Sequence, residues 1–387
     1  MPVKNRFAEL LPELTEFRRD LHRHPELMFD TERTASVVAD RLRAMGCDEV
    51  VTGVAQNGVV AVIKGKTDSR GRTVGLRADM DALPIEEATG AAYASTVPGK
   101  MHACGHDGHT TMLLGAAQYL SETRNFDGTV VLLFQPAEEG GGGADVMVKE
   151  GVLERFGVDE VYGMHNVPGR EMGTFAIRSG PFYAAADQFE IVITGRAGHA
   201  AQPHQTIDAT VVASHAVIAL QTIAARETDP LHQIAVSVTS FETSTKAHNI
   251  IAERVKLRGT VRTFDAEVRD RTERRMGEIL HGVAAAFGAT AELDYQRGYP
   301  SLVNHEAETG FAMEAARKVA GDCDEARCYM WGEDFSYLLN ERPGAYIHLG
   351  VGDTAPLHHP EYDFVDEVIP LGSSWFAEIV EQRLPAA

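Results

Sequence analysis

The densest group of chemically active side chains lies between residues 102 and 109. This segment holds His102, Cys104, His106, Asp107 and His109. Thiolate and imidazole are both metal ligands, and alternate positions of a loop can turn two such side chains toward one ion. The spacing therefore indicates a metal site, although taken alone it also fits a helix start whose histidines only form hydrogen bonds.

A pair of adjacent carboxylates follows the apolar run at 129–134. Glu138 and Glu139 precede four glycines, which allow the backbone to approach closely. Successive side chains at a strand end point in opposite directions, so one carboxylate could bind a metal ion while the other faces water. By itself the pair also fits a solvated acidic turn.

Further polar side chains stand where other predicted strands end. Asp79 and Asp81 follow one strand, His165 ends another, and His358 follows a glycine-containing loop near the C-terminus. Open α/β sheets bind ligands beyond the carboxyl ends of their strands, so the recurrence predicts one shared site. For Asp79 and Asp81 we favour orienting a ligand over binding the ion, and both readings stay open.

The elements that would position these residues alternate in type. Strands are predicted at 58–63, 73–77, 129–134 and 160–164, and helices at 33–45, 109–122 and 144–150. This order predicts an α/β fold with a mainly parallel sheet covered by helices. After residue 300 the alternation resumes, with helices from 307 and near 335–339, a strand at 345–349 and a closing helix.

The middle of the chain has a different rhythm. Strands at 189–194, 233–241, 254–264 and 290–296 and helices at 207–226 and 267–287 give the order β-α-β-β-α-β, with a turn between two strands near 246–249. That order is typical of a ferredoxin-like α+β unit. We therefore predict one domain built from 1–183 and 300–387, with a second domain, 184–299, inserted into it.

Composition excludes several classes of protein. The 387 residues carry a formal net charge of −20, which argues against a nucleic-acid partner. The sequence contains no run of about 18 uninterrupted apolar residues, so no membrane span is predicted. The N-terminus lacks the apolar core of a secretory signal. Four cysteines make no disulfide framework, so we expect a cytoplasmic protein.

Several segments together resemble one enzyme family. They are RADMDALP at 77–84, HACGHDGH at 102–109, QPAEEG at 135–140, MH at 164–165 and GEDFS at 332–336. The chain is similar to the amidohydrolases that include hippurate hydrolase, aminoacylases and plant-type indole-acetyl-amino-acid hydrolases, within the di-metal aminoacylase/carboxypeptidase superfamily. The resemblance implies a zinc-exopeptidase-like catalytic domain and an inserted lid or dimerisation domain.

The same resemblance assigns roles to individual residues. It implies two divalent metal ions (zinc, manganese, cobalt or nickel) on five ligands: Cys104, His106, Glu139, His165 and His358. It makes Glu138 the general acid/base, His199 a catalytic lid histidine, and Asn249 and Arg262 contacts of the substrate carboxylate. One departure is Trp331, where the family pattern leads us to expect a small residue, so the pocket wall there differs from the family pattern.

The leading hypothesis is hydrolysis of the amide bond of an N-acyl or N-aroyl amino acid, a small-molecule substrate. A dipeptidase or carboxypeptidase of the same superfamily is the alternative within catalysis, and Cys104 favours the amidohydrolases because the peptidases are expected to use an acidic bridging ligand. The alternative of another class is a non-catalytic metal-dependent binding protein. Glu138 beside Glu139 argues against it, because a site that only binds metal does not require the second carboxylate.

We also predict a homodimer through the inserted domain. The strand at 233–241 could be an exposed edge that pairs with a second copy. The alternative is a monomer whose edge is blunted by Lys246 and the neighbouring turn.

Overall fold

Helices and strands alternate along the chain, and the computed structural model describes them for residues 3–386. The α-helices are α1 Val3–Arg23, α2 Glu32–Ala44, α3 His106–Thr123, α4 Gly143–Lys149, α5 Val152–Arg155, α6 Ala209–Thr222, α7 Ala266–Ala286, α8 Glu306–Ala320, α9 Phe335–Glu341 and α10 Ile369–Arg383. The strands are β1 Glu49–Val54, β2 Gly58–Lys64, β3 Thr73–Asp79, β4 Thr129–Gln135, β5 Glu160–Val167, β6 Phe175–Ile177, β7 Gly180–Tyr183, β8 Ala185–Thr194, β9 Gly198–His199, β10 Ile234–Thr243, β11 Ile250–Ile251, β12 Arg254–Thr263, β13 Thr290–Gln296, β14 Leu302–Asn304, β15 Asp324–Glu325 and β16 Gly344–Gly350.

The contacts within the described chain divide it into two units. The first unit runs up to Phe182 and also contains Val303–Arg327 and the chain from Asp334 onward. The second unit contains Tyr183–Leu302 and the short segment Cys328–Glu333. That short segment was not part of the insertion predicted from the sequence, and the roles of the two domains stay predictions.

The first unit is built on an eight-stranded sheet with the order β1-β2-β4-β3-β5-β16-β6-β15. Its central strands β4, β3, β5 and β16 run parallel. Both faces are covered, so β5 and β16 are buried along their whole length instead of alternating between buried and exposed positions. The predicted α/β class and mainly parallel sheet are confirmed at this centre.

The margin formed by β1 and β2 is antiparallel, whereas β15 at the other margin is parallel to β6. β1 pairs with β2, and β2 with β4, in antiparallel register. The loop between β1 and β2 is too short for the crossover that a parallel pair requires, so the chain must turn directly back on itself.

The second unit has a four-stranded antiparallel sheet with the order β10-β12-β8-β13. This is the ferredoxin-like order that the β-α-β-β-α-β pattern predicts. Along β8 the side chains alternate between buried and partly exposed positions, because α6 and α7 cover one face only. Strands β10 and β13 are the two edges.

Two details of the second unit differ from the sequence prediction. The connection between β10 and β12 is not a simple turn near 246–249, because it contains β11, which pairs with β9. The predicted helix at 207–226 ends as α6 at Thr222 and continues through a π-helical turn over Ile223–Glu227.

One helical stretch of the described residues, Ala209–Glu227, is long and apolar enough to cross a membrane by length and composition alone. One side of it packs in the core of the second unit, where Val212, Ala216 and Leu220 are buried. The uninterrupted-run criterion missed this stretch because polar residues are scattered through it.

Candidate metal centre

The first unit gathers six of the predicted site residues near the carboxyl ends of its central strands. β4, β3 and β5 are parallel neighbours, so the loops that follow them meet at one edge of the sheet. The turn before α3 reaches the same edge through Gly105, whose φ is +88°. A side chain at this position would clash with Asn166 and would lie 2.7 Å from the hydroxyl of Tyr362, so only glycine fits.

Five predicted ligands fall into two overlapping groups. One group contains Cys104, His106 and His165, the other Cys104, Glu139 and His358, and in each the donor atoms lie within 4.8 Å of one another. The Sγ atom of Cys104 is 3.5 Å from Nε2 of His165. Nε2 of His358 is 3.2 Å from Oε1 of Glu139. Cys104 is therefore the one donor that the two groups share.

His358 reaches its group through an unusual backbone conformation. Its φ is +63°, in the left-handed region that a residue with a Cβ atom rarely adopts. Its N–H donates to the carbonyl of Ala103 at 2.8 Å, which ties this loop to the turn that carries Cys104. Such local strain is commonest at functional sites.

The hydrogen bonds of the histidines separate candidate ligands from structural ones. Nδ1–H of His165 donates to the carbonyl of Asn166 at 2.7 Å, which leaves Nε2 with its lone pair directed at the cluster. In His109 both nitrogens are engaged, Nδ1 with Asp79 at 2.6 Å and Nε2 with the N–H of Asn166 at 3.1 Å. His109 is thus not available as a ligand in this arrangement.

Asp79 and Asp81 are likewise occupied by protein donors. The oxygens of Asp81 accept the backbone N–H groups of Glu138 at 2.9 Å and Glu139 at 3.0 Å. Those of Asp79 accept from His109 at 2.6 Å and Arg77 at 2.7 Å. Both aspartates therefore orient their neighbours, which supports the reading that the sequence analysis favoured.

Glu138 lies beside the donor atoms. Its side chain is buried, and its Oε2 atom is 4.0 Å from Nε2 of His106. The preceding residue, Ala137, has a φ of +58°, so the backbone turns sharply just before the carboxylate pair. Asp81 fixes that turn by accepting the backbone N–H groups of both glutamates. Both carboxylates lie near His106, since Oε1 of Glu139 is 3.9 Å from the same Nε2 atom.

The charges of the centre favour a cation. Burial alone would lower the pKa of His106, but the carboxylates of Asp79, Asp81 and Glu139 raise it to about 10. Burial and the same kind of negative surroundings raise the pKa of the Cys104 thiol well above its ordinary value. Nε2 of His106 and Oε1 of Glu139 are buried without a hydrogen-bond partner among the described residues. A bound cation would satisfy both atoms and stabilise the thiolate.

The candidate metal centre is supported by a buried hydrogen-bond network that was not predicted from the sequence. The guanidinium of Arg77 donates to Asp79 at 2.7 Å, to Gln135 at 2.8 Å and to Asp334 at 2.8 Å. Asp334 also accepts the N–H of Ala144 at 2.9 Å, at the start of α4. An arginine inside an otherwise apolar strand was the available signal, since a buried charge requires partners.

The N-terminal helix contributes a second network. Nδ1 of His22 is 2.8 Å from Asp107, and Arg18 donates to the same carboxylate at 3.3 Å. Asp107 is in the first turn of α3, next to His106. His102 is buried nearby, and neither of its ring nitrogens has a hydrogen-bond partner in the part of the chain that the structure describes.

The remaining predicted residues belong to the second unit. β9 and β11 bring His199 and Asn249 together, since His199 is paired with Ile250 and the carbonyl of Asn249 accepts the N–H of Ala200 at 3.0 Å. Both side chains are exposed.

Arg262 lies apart from this pair, on β12. It lines a depression of about 460 Å³ on the sheet. Its guanidinium donates to the carbonyls of Val261 at 3.0 Å and Asp187 at 3.4 Å. It has no ion pair among the described residues, whereas Arg258 in the same depression pairs with Glu190. Arg262 is therefore a cation whose charge is available to an anion.

Comparison with known proteins identifies relatives along the whole chain. The profile of Peptidase family M20/M25/M40 matches residues 75–382. N-acetyl-L-cysteine deacetylase of Bacillus subtilis is 39% identical over 378 residues, covering 97% of this chain and 89% of that protein. Hippurate hydrolase of Campylobacter jejuni is 37% identical over 380 residues, covering 97% and 98%. The crystal structure of the Bacillus subtilis YXEP protein, a dinuclear metal binding peptidase from the M20 family, is similar with 35% identity and a TM-score of 0.86, covering 98% and 100%.

Proposed function

The chain belongs to peptidase family M20/M25/M40, and from this premise we propose that it is a metal-dependent amidohydrolase of N-acyl and N-aroyl amino acids. The products are a carboxylic acid and a free amino acid. The observation that carries the proposal is the buried carboxylate of Glu138, oriented through Asp81 and adjacent to two groups of metal-binding atoms.

Two divalent ions would be held by the five clustered donors. We infer that Cys104, His106, Glu139, His165 and His358 would hold the two ions. The shared thiol, the free lone pair of His165 and the unsatisfied buried atoms all support this assignment. When bound, such ions lower the pKa of a water molecule and polarise the amide carbonyl. Thiolate favours a borderline-soft ion such as zinc, and manganese, cobalt and nickel remain candidates.

The residues of this chain then supply proton transfer and orientation. Glu138 accepts a proton from the attacking water and delivers it to the leaving nitrogen, which would otherwise depart as an amine anion. Asp81 holds the Glu138 backbone through the hydrogen bond described above. His199 stabilises negative charge on the carbonyl oxygen in the transition state, and Asn249 and Arg262 bind the substrate carboxylate. These three roles rest on the sequence resemblance and, for Arg262, on its lack of an ion pair in the described chain.

Cleavage of dipeptides is the second candidate, because the family and the similar YXEP structure are both described as peptidases. The two activities need the same ions and the same Glu138, and they differ in the group on the acyl side of the cleaved amide bond. A dipeptidase would cleave substrates whose acyl side carries a free amino group.

The proposal includes a cellular location and an oligomeric state. A cytoplasmic location fits the cysteines, which form no disulfide among the described residues. A homodimer through the second unit fits the open edge of β10.

The test is a substrate panel on metal-reconstituted protein. N-acetyl and N-benzoyl amino acids, dipeptides and C-terminally blocked controls are assayed with zinc, manganese, cobalt or nickel, and after chelation. We expect metal-dependent release of free amino acid from the N-acyl compounds, and its loss in Glu138→Gln. Cleavage of dipeptides alone would establish the second candidate, and metal binding without turnover of any amide would contradict both.

A further inference from the structure

Asn166 lies between the segments of the first unit that carry candidate metal ligands. It comes directly after His165 near the end of β5, and it is fully buried. Its carbonyl accepts Nδ1–H of His165 at 2.7 Å, and its N–H donates to Nε2 of His109 at 3.1 Å. Both contacts use the backbone, so neither of them explains why the side chain is an asparagine.

The side-chain amide of Asn166 contacts two other ligand-bearing segments. Nδ2 donates to the hydroxyl of Tyr362 at 2.7 Å, and Tyr362 follows His358 by four residues. Oδ1 faces Gly105, next to Cys104, since a Cβ atom at this glycine would clash with Oδ1 and would lie 2.7 Å from the hydroxyl of Tyr362. The hydrogen bond between the amide and the phenol is therefore the point where three of the ligand-bearing segments meet.

The two residues that flank Cys104 are both held by other segments. Gly105 has no Cβ atom, so the side-chain amide and the phenol lie directly against its backbone. On the other side, the carbonyl of Ala103 accepts the N–H of His358 at 2.8 Å. The position of the thiol is therefore set by segments that are distant in sequence as well as by its own turn.

The amide of Asn166 is not explained by the stability of the fold. Its Oδ1 atom is buried without a hydrogen-bond partner among the described residues. A buried acceptor without a partner lowers stability, and such a group in a folded protein requires another explanation. Groups that orient metal ligands supply one, because their loss typically weakens metal binding by about 10-fold to 100-fold.

We propose that Asn166 and Tyr362 are positioning residues that fix the Cys104 thiol in the place that binding of the two ions requires. The inference rests on the proposed metal centre and does not depend on the identity of the substrate. Neither residue needs to contact an ion, because both act through the backbone next to the thiol. A phenol is neutral near pH 7 and an amide does not titrate, so the pair contributes position and no charge.

The first arm of the test measures zinc affinity by competition with a chelator. Tyr362→Phe removes the hydroxyl and keeps the ring, and Asn166→Ala removes the amide and keeps the backbone contacts with both histidines. Each variant should weaken zinc binding by about 10-fold to 100-fold. The matched control is Tyr162→Phe, which removes another buried hydroxyl, one that donates to Glu160 at 2.8 Å near the start of β5. Its zinc affinity should stay within about 3-fold of wild type, since distant sites act independently.

The second arm observes the thiol directly. Cobalt(II) bound to a thiolate gives a charge-transfer absorption in the near ultraviolet, and Cys104→Ser identifies the part of it that comes from this residue. Tyr362→Phe and Asn166→Ala should shift or weaken this band, and Tyr162→Phe should leave it unchanged. Urea unfolding of the apo-proteins is measured alongside, because a general loss of stability would affect the control as well.

A double variant tests whether the two residues act as one unit. If the hydrogen bond between them holds the turn, Asn166→Ala combined with Tyr362→Phe should bind zinc about as tightly as the weaker single variant. Two losses that multiply would show independent contributions and would contradict the proposal.

The outcomes separate this inference from the metal centre itself. If wild type binds no zinc, or if its cobalt band survives in full in Cys104→Ser, the proposed metal centre is wrong. If wild type binds both metals through Cys104 and the variants of Asn166 and Tyr362 match Tyr162→Phe in affinity and spectrum, the metal centre stands and the positioning role is refuted.

Discussion

Glu138 and Glu139 are neighbours in sequence but differ in what surrounds their carboxylates. Oε1 of Glu139 is 3.2 Å from Nε2 of His358, whereas Glu138 lies in a group with His106 and Glu139 and is proposed to transfer the proton. We expect Glu138→Gln to retain both ions and to lower kcat by at least about 100-fold, the scale of lost general acid–base catalysis. Glu139→Gln should instead lose metal, because an anionic ligand is removed.

Metal content by mass spectrometry, paired with kcat, checks this assignment. The exposed Glu171 supplies a control, since Glu171→Gln should change neither quantity. Depleted metal in Glu138→Gln together with full metal in Glu139→Gln would reverse the two roles.

Cys104 is predicted to change its reactivity with metal. A thiolate that donates its electron pair to an ion resists alkylation, and chelation should expose it to the reagent. Cys47 is half-buried in the same unit and belongs to none of the ligand groups found among the described residues, so its labelling should not depend on metal. Peptide mapping after alkylation with and without chelator measures both sites. Equal labelling of Cys104 in the two samples would remove it from the ligand set.

At the residue scale the sequence could indicate which side chains lie near the candidate metal centre, but not which of them are metal ligands. Asp81 and Glu138 both carry a carboxylate that could bind a metal ion. Only the hydrogen bonds that Asp81 accepts from two backbone N–H groups reveal its orienting role. The engagement of both nitrogens of His109 is equally a product of the folded chain. Hydrogen bonds between distant segments have no signature in local spacing.

At the scale of elements, α1 is coupled to the start of α3 through His22. Burial lowers the pKa of His22, but Asp107 and Glu87 outweigh it and raise the pKa to about 9. A pKa raised above its unfolded value contributes stability below about pH 6.5, and this contribution is lost as the pH rises through about 9. The shift corresponds to a contribution on the order of 3 kcal/mol to the free energy of unfolding.

Urea unfolding between pH 6 and pH 9.5 tests this coupling. At constant metal loading, wild type should lose stability across the window more steeply than His22→Gln, whose side chain does not titrate. His24→Gln, at a half-buried position just beyond the same helix end, should follow wild type. Parallel curves for wild type and His22→Gln would show that His22 is not charged in the folded protein.

The edge strand β10 is predicted to form the dimer contact. Phe241 exposes 42% of its surface on this strand, so Phe241→Lys should place a charge in the interface and shift the protein toward monomer. The other edge, β13, offers the control Thr290→Lys, which should leave the assembly unchanged. Sedimentation velocity over a concentration series measures both variants. A wild-type monomer, or a dimer that tolerates Phe241→Lys, would contradict the prediction.

The long elements were predictable because hydrophobic periodicity defines them. β4 contains an apolar run at 130–134 that is buried on both faces, and α7 shows the spacing of a one-sided helix. The two-residue strands β9 and β11 were missed, since they carry no periodicity and exist only because the chain brings them together. The contacts of the short segment Cys328–Glu333 with the second unit likewise have no signature in the sequence.

At the scale of the whole molecule, the roles proposed for two residues of the second unit can be separated kinetically. His199 and Arg262 would then affect different steps. A group that stabilises charge only in the transition state lowers kcat, whereas a cation that binds the substrate carboxylate acts mainly on KM. His199→Ala should therefore lower kcat more than it raises KM, and Arg262→Ala should do the reverse.

A methyl ester of the substrate isolates the role of Arg262, because esterification removes the negative charge that the guanidinium would bind. On the free acid, Arg262→Ala should raise KM by about 10-fold or more, the scale of a charge-assisted hydrogen bond. On the ester the variant and wild type should be nearly equal. Arg258→Ala is the matched control, since its charge is already paired with Glu190 and its loss should not separate acid from ester. An equal loss on acid and ester in Arg262→Ala would mean that the carboxylate is bound elsewhere, and the depression on the second unit would then have no part in substrate recognition.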